Sequence, residues 1–236
     1  MFATAVANLH KWAAWDDVPA SVREHLLRAD PAMETVKAAE FCRMRSRMFG
    51  IMPTHMGMVP AARREAEALG FSTAWLAEEV RIEASEAGKM MAAIANTVAK
   101  HGQPFEPPCA IFSCGEQVVT VGAHGGMGGR NQEHALAAAT KIVGAPNIVM
   151  ASVDSDGTDG PGHQYVQGLD EIPVLDGGIV DGETGVRAAK LGIDLEAELL
   201  HHNTSPALHR LGCGVQATPN ISMNDLSIAL VLGRNE

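Results

Sequence analysis

The stretch Gly125-Gly126-Met127-Gly128-Gly129-Arg130-Asn131-Gln132-Glu133 decides how this chain is read. Glycine at 125, 126, 128 and 129 leaves the backbone free to turn sharply and to approach a neighbour closely. Behind it, the apolar spacing from about Asn131 to Val143 is that of a helix. A glycine turn opening onto a helix belongs to layered strand and helix architecture, so the expected fold class is α/β. Two roles are open to the turn. Its bare N–H groups and the positive end of the helix dipole can receive an anion, with Arg130 adding a bidentate fork for phosphate or carboxylate. Alternatively the glycines only make a tight strand-to-helix turn, Arg130 is solvated, and Glu133 is a first-turn acid that complements the dipole.

Downstream, Asp154-Ser155-Asp156-Gly157-Thr158-Asp159-Gly160-Pro161 follows the apolar run Ile148–Val153. Its carboxylates are the hard oxygen ligands that Mg2+ requires, and a cation would relieve their mutual repulsion. A calcium loop fails, because it would put Asp159 where glycine is needed and Tyr165 where the closing Glu belongs. A plain surface turn of Asp and Gly is the other reading.

Working outward, strands are expected at Cys109–Ser113, Val118–Val121 and Ile148–Val153, with a final buried strand at Leu226–Leu232. Met48–Met52 reads as a further strand. Helices are expected in the Ala-rich opening, after Pro19, over Met58–Leu69 with Gly70 as cap, and from about Ile82 to Lys100 ending at Gly102. Gly182–Leu191 and Leu195–His201 complete the helices. Gln103–Pro108, with three prolines, is the expected domain boundary.

The 236 residues, 46% of them hydrophobic, suffice for a buried core. A net charge of −10, from 28 acidic against 18 basic residues, argues against nucleic acid as partner. No apolar run reaches the ~20 residues of a membrane span and no signal peptide is visible, so the expected compartment is the cytoplasm. Cys42, Cys109, Cys114 and Cys213 form no C-x-x-C pair and read as reduced structural thiols rather than a metal site. The histidines, including His201-His202, show no H-E-x-x-H spacing and read as solvated or core residues. A G-x-G-x-x-G fingerprint, a P-loop and a G-x-S-x-G elbow are all absent, which leaves dinucleotide-dependent reduction and acyl transfer without support.

Four separated segments, Gly128-Gly129-Arg130-Asn131-Gln132-Glu133, Asp156-Gly157-Thr158-Asp159-Gly160-Pro161, Gly177-Gly178-Ile179-Val180-Asp181 and Asn224-Asp225-Leu226, together resemble the MOFRL domain of glycerate 2-kinases. That family also carries the name hydroxypyruvate reductase. The resemblance runs from about Ile111 to the C-terminus, and Val18-Pro19-Ala20-Ser21-Val22 with the helix before Gly70 resembles the close of the family's first domain. It implies a MOFRL-type α/β domain over 106–236, preceded over 1–105 by a mainly helical remnant of the first, nucleotide-binding α/β domain.

The activity implied is phosphorylation of the 2-hydroxyl of D-glycerate with ATP and Mg2+, in a cleft between two domains. Arg130 would then stabilise charge on the carboxylate or the transferring phosphoryl group. Asp156 and Asp159 would hold the metal or orient the hydroxyl; Gly128, Gly129, Asn131 and Glu133 would face the substrate; Asn224 and Asp225 would close the pocket. The chain departs from the family in four places. The larger stretch bearing the family's catalytic Lys and glycine-rich nucleotide turns lies ahead of where this chain starts, so a complementing N-terminal polypeptide, or a longer chain, is the expected partner. Thr218-Pro219-Asn220 replaces a glycine- and threonine-rich approach, and the family's Ser-Gly-Gly-Glu and Asn-Asp-Ser stand here as Ser113-Cys114-Gly115-Glu116 and Asn203-Thr204-Ser205. A non-catalytic remnant that binds a small organic acid or phosphate is the alternative function.

Overall fold

The computed structural model describes residues 1–45, 55–122, 125–160 and 171–234, apart from the side chains of 55 and 56. In chain order the elements are α1 (Phe2–Lys11), α2 (Ala20–Arg28), a 3-10 turn (Pro31–Met33), α3 (Ala38–Phe41), α4 (His55–Ala68), β1 (Ser72–Ala77), α5 (Ala84–His101), β2 (Cys109–Cys114), α6 (Arg130–Ala139), β3 (Ile148–Asp154), β4 (Gly177–Asp181), α7 (Thr184–Lys190), α8 (Leu195–Leu200), α9 (Thr204–Leu211), β5 (Gly214–Val215) and β6 (Asp225–Val231). The strand expected at Met48–Met52 lies outside the described residues.

By its contacts the chain divides into Met1–Ile51 and Met52–Glu236. The first unit is α1 to α3, in which none of the described residues is buried. The second holds the sheet, and the boundary expected near residue 105 falls inside it, between α5 and β2.

The sheet is mixed, in the order β1-β2-β6-β3-β4-β5. Only β1 and β2 run parallel; every other neighbouring pair is antiparallel. Asp225-Leu226-Ser227-Ile228-Ala229-Leu230-Val231 sits between β2 and β3, where an apolar run is covered on both faces. The period of two sorts its side chains. Ala229 and Val231 join Ile111, Met150, Leu136 and Leu208 beneath α5 and α6, whereas Leu226 joins Phe112, Ala110 and Val59 beneath α4.

Close approach of α5 to α6 depends on small residues. Ala92, Ala95, Ala135 and Ala138 are fully buried, and a Cβ at Gly88 would lie 2.2 Å from the His134 carbonyl oxygen. The cap expected at Gly102 is present, left-handed at φ +65, with its N–H donating to the Val98 carbonyl. Among the described residues no helix is long and apolar enough to cross a membrane, and the four cysteines are free thiols.

Val118–Val121 is not a strand. Val118 donates to Ile82 and accepts from Ala84, which pins it as one isolated bridge against the start of α5. The 3-10 turn, α3, β1, β4, α9 and β5 appear in addition to the elements expected.

Candidate functional site

Helix α6 begins without a cap of its own, since Gly129 has no side chain to offer. Asp159, from the loop after β3, takes that role. Its Oδ1 accepts from the Asn131 N–H and Nδ2, both at 3.2 Å, and its Oδ2 accepts from the Gln132 N–H at 2.9 Å. The helix-end amides of Asn131 and Gln132 are therefore spent on the chain's own carboxylate. Burial pushes the Asp159 carboxyl up to about 6, against the pull of the Gln132 and Asn131 donors.

This contact explains the glycines. A Cβ at Gly129 would fall 2.4 Å from the Asp159 carboxyl carbon, and one at Gly160 would fall 1.8 Å from the Gly128 carbonyl oxygen. One at Gly128 would meet Thr204 Oγ1 at 2.4 Å. The two segments pack directly on each other.

Arg130, the first residue of α6, reaches across the strand ends. Asp154 and Asp225 are register partners on β3 and β6, so two carboxylates face each other there. Arg130 Nε donates to Asp225 Oδ2 at 2.5 Å, and Nη2 donates to Asp225 Oδ1 at 2.9 Å and to Asp154 Oδ2 at 2.7 Å. Glu116 lies farther out, at 3.7 Å from Nη2. Burial, with the Asp225 charge opposite, pushes the Asp154 carboxyl up to about 7, although the Asp156 N–H and Arg130 pull it down. Burial works against the Arg130 charge, but Asp225 and Asp154 more than compensate and raise its pKa. Its Nη1 has no hydrogen-bond partner among the described residues, and the side chain stays 25% exposed.

Arg130 lines a cavity of about 420 Å³ together with Gly125, Gly126, Gly128, Gly129 and Glu133. His202 completes that wall from the turn between α8 and α9, its Nδ1 2.6 Å from Glu133 Oε1. Burial raises the Glu133 carboxyl, and His202 opposes the rise. Beneath the cavity a buried polar chain joins His134 Nδ1 to Gln117 Oε1 (3.0 Å), Gln117 Nε2 to Ser227 Oγ (3.3 Å), Ser227 to Ser152 (2.9 Å) and Ser152 to Asn131 Oδ1 (2.6 Å). Burial lowers His134 to about 4, so it is neutral and serves the core.

The structure thus brings Arg130, Asp225 and Asp154 into one cluster and places Gly128, Gly129 and Glu133 on the cavity wall beside it. Asn131 points inward to Ser152 and Asp159 instead. Asp156 closes a turn on Thr158 through Oδ1 and donates its N–H to Asp154. Asn224, left-handed at φ +90, accepts the Asp225 N–H and does not line the cavity. Among the described residues no group of three or more His, Cys, Asp or Glu is set to hold a metal ion. With both Asp159 oxygens occupied by N–H donors, Asp156 and Asp159 do not fit as a two-carboxylate metal site.

Sequence reasoning passed over Gln117 and read His202 as solvated or core, whereas it stands on the cavity wall against Glu133. A histidine pair in a helix-to-helix turn carries no spacing signal, and its partner Glu133 is distant in sequence.

Residues 109–223 match the MOFRL family. A glycerate 2-kinase of Pyrococcus horikoshii is 34% identical across 99% of this chain, which covers 50% of that protein. A crystal structure of a P. horikoshii OT3 protein superposes with a TM-score of 0.71 at 32% identity, over 99% of this chain and 50% of that one. The crystal structure of a Thermotoga maritima glycerate kinase superposes with a TM-score of 0.69 at 29% identity, over 85% of this chain and 48% of that one. The chain therefore spans about half the length of the relatives it matches. Residues 109–223 of this chain are therefore a MOFRL family domain.

Proposed function

We propose that the chain supplies the acid-binding half of a glycerate 2-kinase-type phosphotransferase, which moves the terminal phosphoryl group of ATP to the 2-hydroxyl of D-glycerate. The observation that carries this reading is Arg130, fixed by Asp225 and Asp154 with Nη1 uncommitted, on the wall of a cavity that also presents Gly128, Gly129 and Glu133. A guanidinium held at two of its nitrogens meets an anion in one orientation, and phosphoryl transfer depends mostly on such positioning and charge stabilisation.

Charge balance supports the placement. With both acids ionised, the Arg130 cluster carries −1 and repels an anion. Burial raises the Asp154 carboxyl to about 7, so partial protonation at neutral pH lessens that negative charge beside Nη1. The residues fit Mg2+ only as a cation carried chiefly by triphosphate oxygens with at most Asp156 from this chain, so no step is routed through it. Residues 1–51 fit the reading as the end of a first domain, with nucleotide binding completed by a partner polypeptide or a longer chain.

Isothermal titration with D-glycerate and with ATP tests this. D-glycerate is expected to bind the chain and ATP turnover to be negligible until the complementing half is added. Absence of D-glycerate binding at millimolar concentration would reject the reading. Inorganic phosphate binding without any glycerate binding would favour a non-catalytic anion binder.

A further inference from the structure

We propose that His202 is the proton acceptor of this site: Glu133 holds its Nδ1–H, and Nε2 takes the proton from the hydroxyl that is phosphorylated. This rests on the phosphotransferase reading above and adds a residue and a role to it.

The dyad has the parts such a base needs. Glu133 sits in the first turn of α6, three residues from Arg130, so its carboxylate is fixed by the same helix end that fixes the guanidinium. It is buried, and a buried carboxylate 2.6 Å from Nδ1 sets the imidazole tautomer with the hydrogen on Nδ1 and the lone pair on Nε2. Nε2 has no partner among the described residues and is not among the buried unpartnered atoms, so it is accessible, and His202 lines the cavity that Arg130 also lines.

The end of α8 holds the residue in place. His202, left-handed at φ +51, follows the cap residue His201 in a regular helix ending, its N–H donating to the Leu199 carbonyl at 3.1 Å. The His201 carbonyl accepts from the Gly126 N–H at 2.8 Å, the Asn203 N–H donates to the Glu198 carbonyl at 2.8 Å, and Asn203 Nδ2 donates to Glu198 Oε2 at 2.7 Å. The turn is thus strapped to the glycine loop on one side and to α8 on the other, which fixes the backbone from which the ring meets Glu133.

In the reaction, the hydroxyl proton passes to His202 Nε2 as the hydroxyl oxygen bonds to the terminal phosphorus of the nucleoside triphosphate. The bond from that phosphorus to the bridging oxygen breaks, and its electron pair leaves with the diphosphate. Glu133 is a positioning residue, acting only through His202.

The test uses the whole chain and does not require turnover. Diethyl pyrocarbonate modifies accessible imidazole nitrogens, and peptide mass mapping gives a rate for each histidine. His209, exposed on α9, is the internal reference. With D-glycerate at ten times the Kd found by titration, His202 modification is expected to slow about tenfold while His209 is unchanged. In parallel, ring-nitrogen NMR, with His202→Gln for assignment, is expected to show His202 protonated at Nδ1 alone. Loss of that preference in Glu133→Gln, with far-UV circular dichroism unchanged, supports the positioning role. If D-glycerate binds but leaves the His202 rate untouched, or if Nδ1 carries no proton, the dyad is overturned and the phosphotransferase reading stands. If D-glycerate gives no binding, both fall together.

Discussion

Asp154 and Asp225 would repel each other across their strand pair if Arg130 did not lie between them, and this makes the residue scale easy to probe. Lysine at 130 offers a single charged point, so it cannot hold both Asp225 oxygens and reach Asp154 at once. Arg130→Lys leaves buried carboxylate unpaired and is expected to cost about 3 kcal/mol in urea denaturation. A loss under about 1 kcal/mol would show that the cluster is held by something else. Asp154 gives the pH sign. Its folded carboxyl sits near 7 against an ordinary 3.8, so the folded chain holds a proton that the unfolded chain releases. Stability present below about pH 4 is lost as pH rises through 7, with a slope of at most ~1.4 kcal/mol per pH unit. Asp159, near 6, follows the same sign but finishes earlier. Between pH 6 and 7.5 the wild-type decline should therefore exceed that of Asp154→Asn, and parallel urea-derived profiles would contradict the assignment.

At the scale of elements, the contact between α5 and α6 rests on a missing side chain. Gly88→Ala gains helix propensity of about 1 kcal/mol but sets a methyl 2.2 Å from a backbone carbonyl that cannot rotate away. Net destabilisation of about 2 kcal/mol is expected, with α5 forced outward. Gly57, in the first turn of α4 with no atom of the described residues within 4 Å of an added Cβ, is the matched control. Gly57→Ala should be neutral or stabilise by up to about 1 kcal/mol. Thermal melts of the two variants moving in the same direction would contradict the packing account. The same helices show what the sequence discloses. α5, with an apolar stripe and a glycine cap, and β6, with an uninterrupted apolar run, carry their signal locally and stand where expected. β1 and β4 do not: Ser72–Ala77 is short and only half-buried, and Gly177-Gly178 weakens any strand pattern although β3 recruits it. At the site the glycines were legible as a turn into a helix. Their purpose was not, because what they accommodate, Asp159 and Thr204, is brought there by tertiary folding.

For the whole molecule, both hydrophobic clusters lie between Met58 and Val231, inside the unit that starts at Met52. No described residue before 46 is buried, so α1 to α3 add almost no apolar burial to offset the cost of ordering their backbone. The site draws on the same later unit: Arg130, Glu133, Asp154, His202 and Asp225 are contributed by α6, β3, β6 and the turn before α9. Stability and ligand binding should therefore survive together when residues 1–51 are removed. The 52–236 fragment is expected to lose less than about 1 kcal/mol, hence to melt within about 4 °C of the full chain. Its D-glycerate affinity should match that of the full chain by titration. A fragment that melts much lower would mean that the first unit stabilises the sheet. A fragment that keeps its melting point but loses D-glycerate would mean that residues 1–51 complete the cavity, and the acid-binding half would then have to be redrawn to include them.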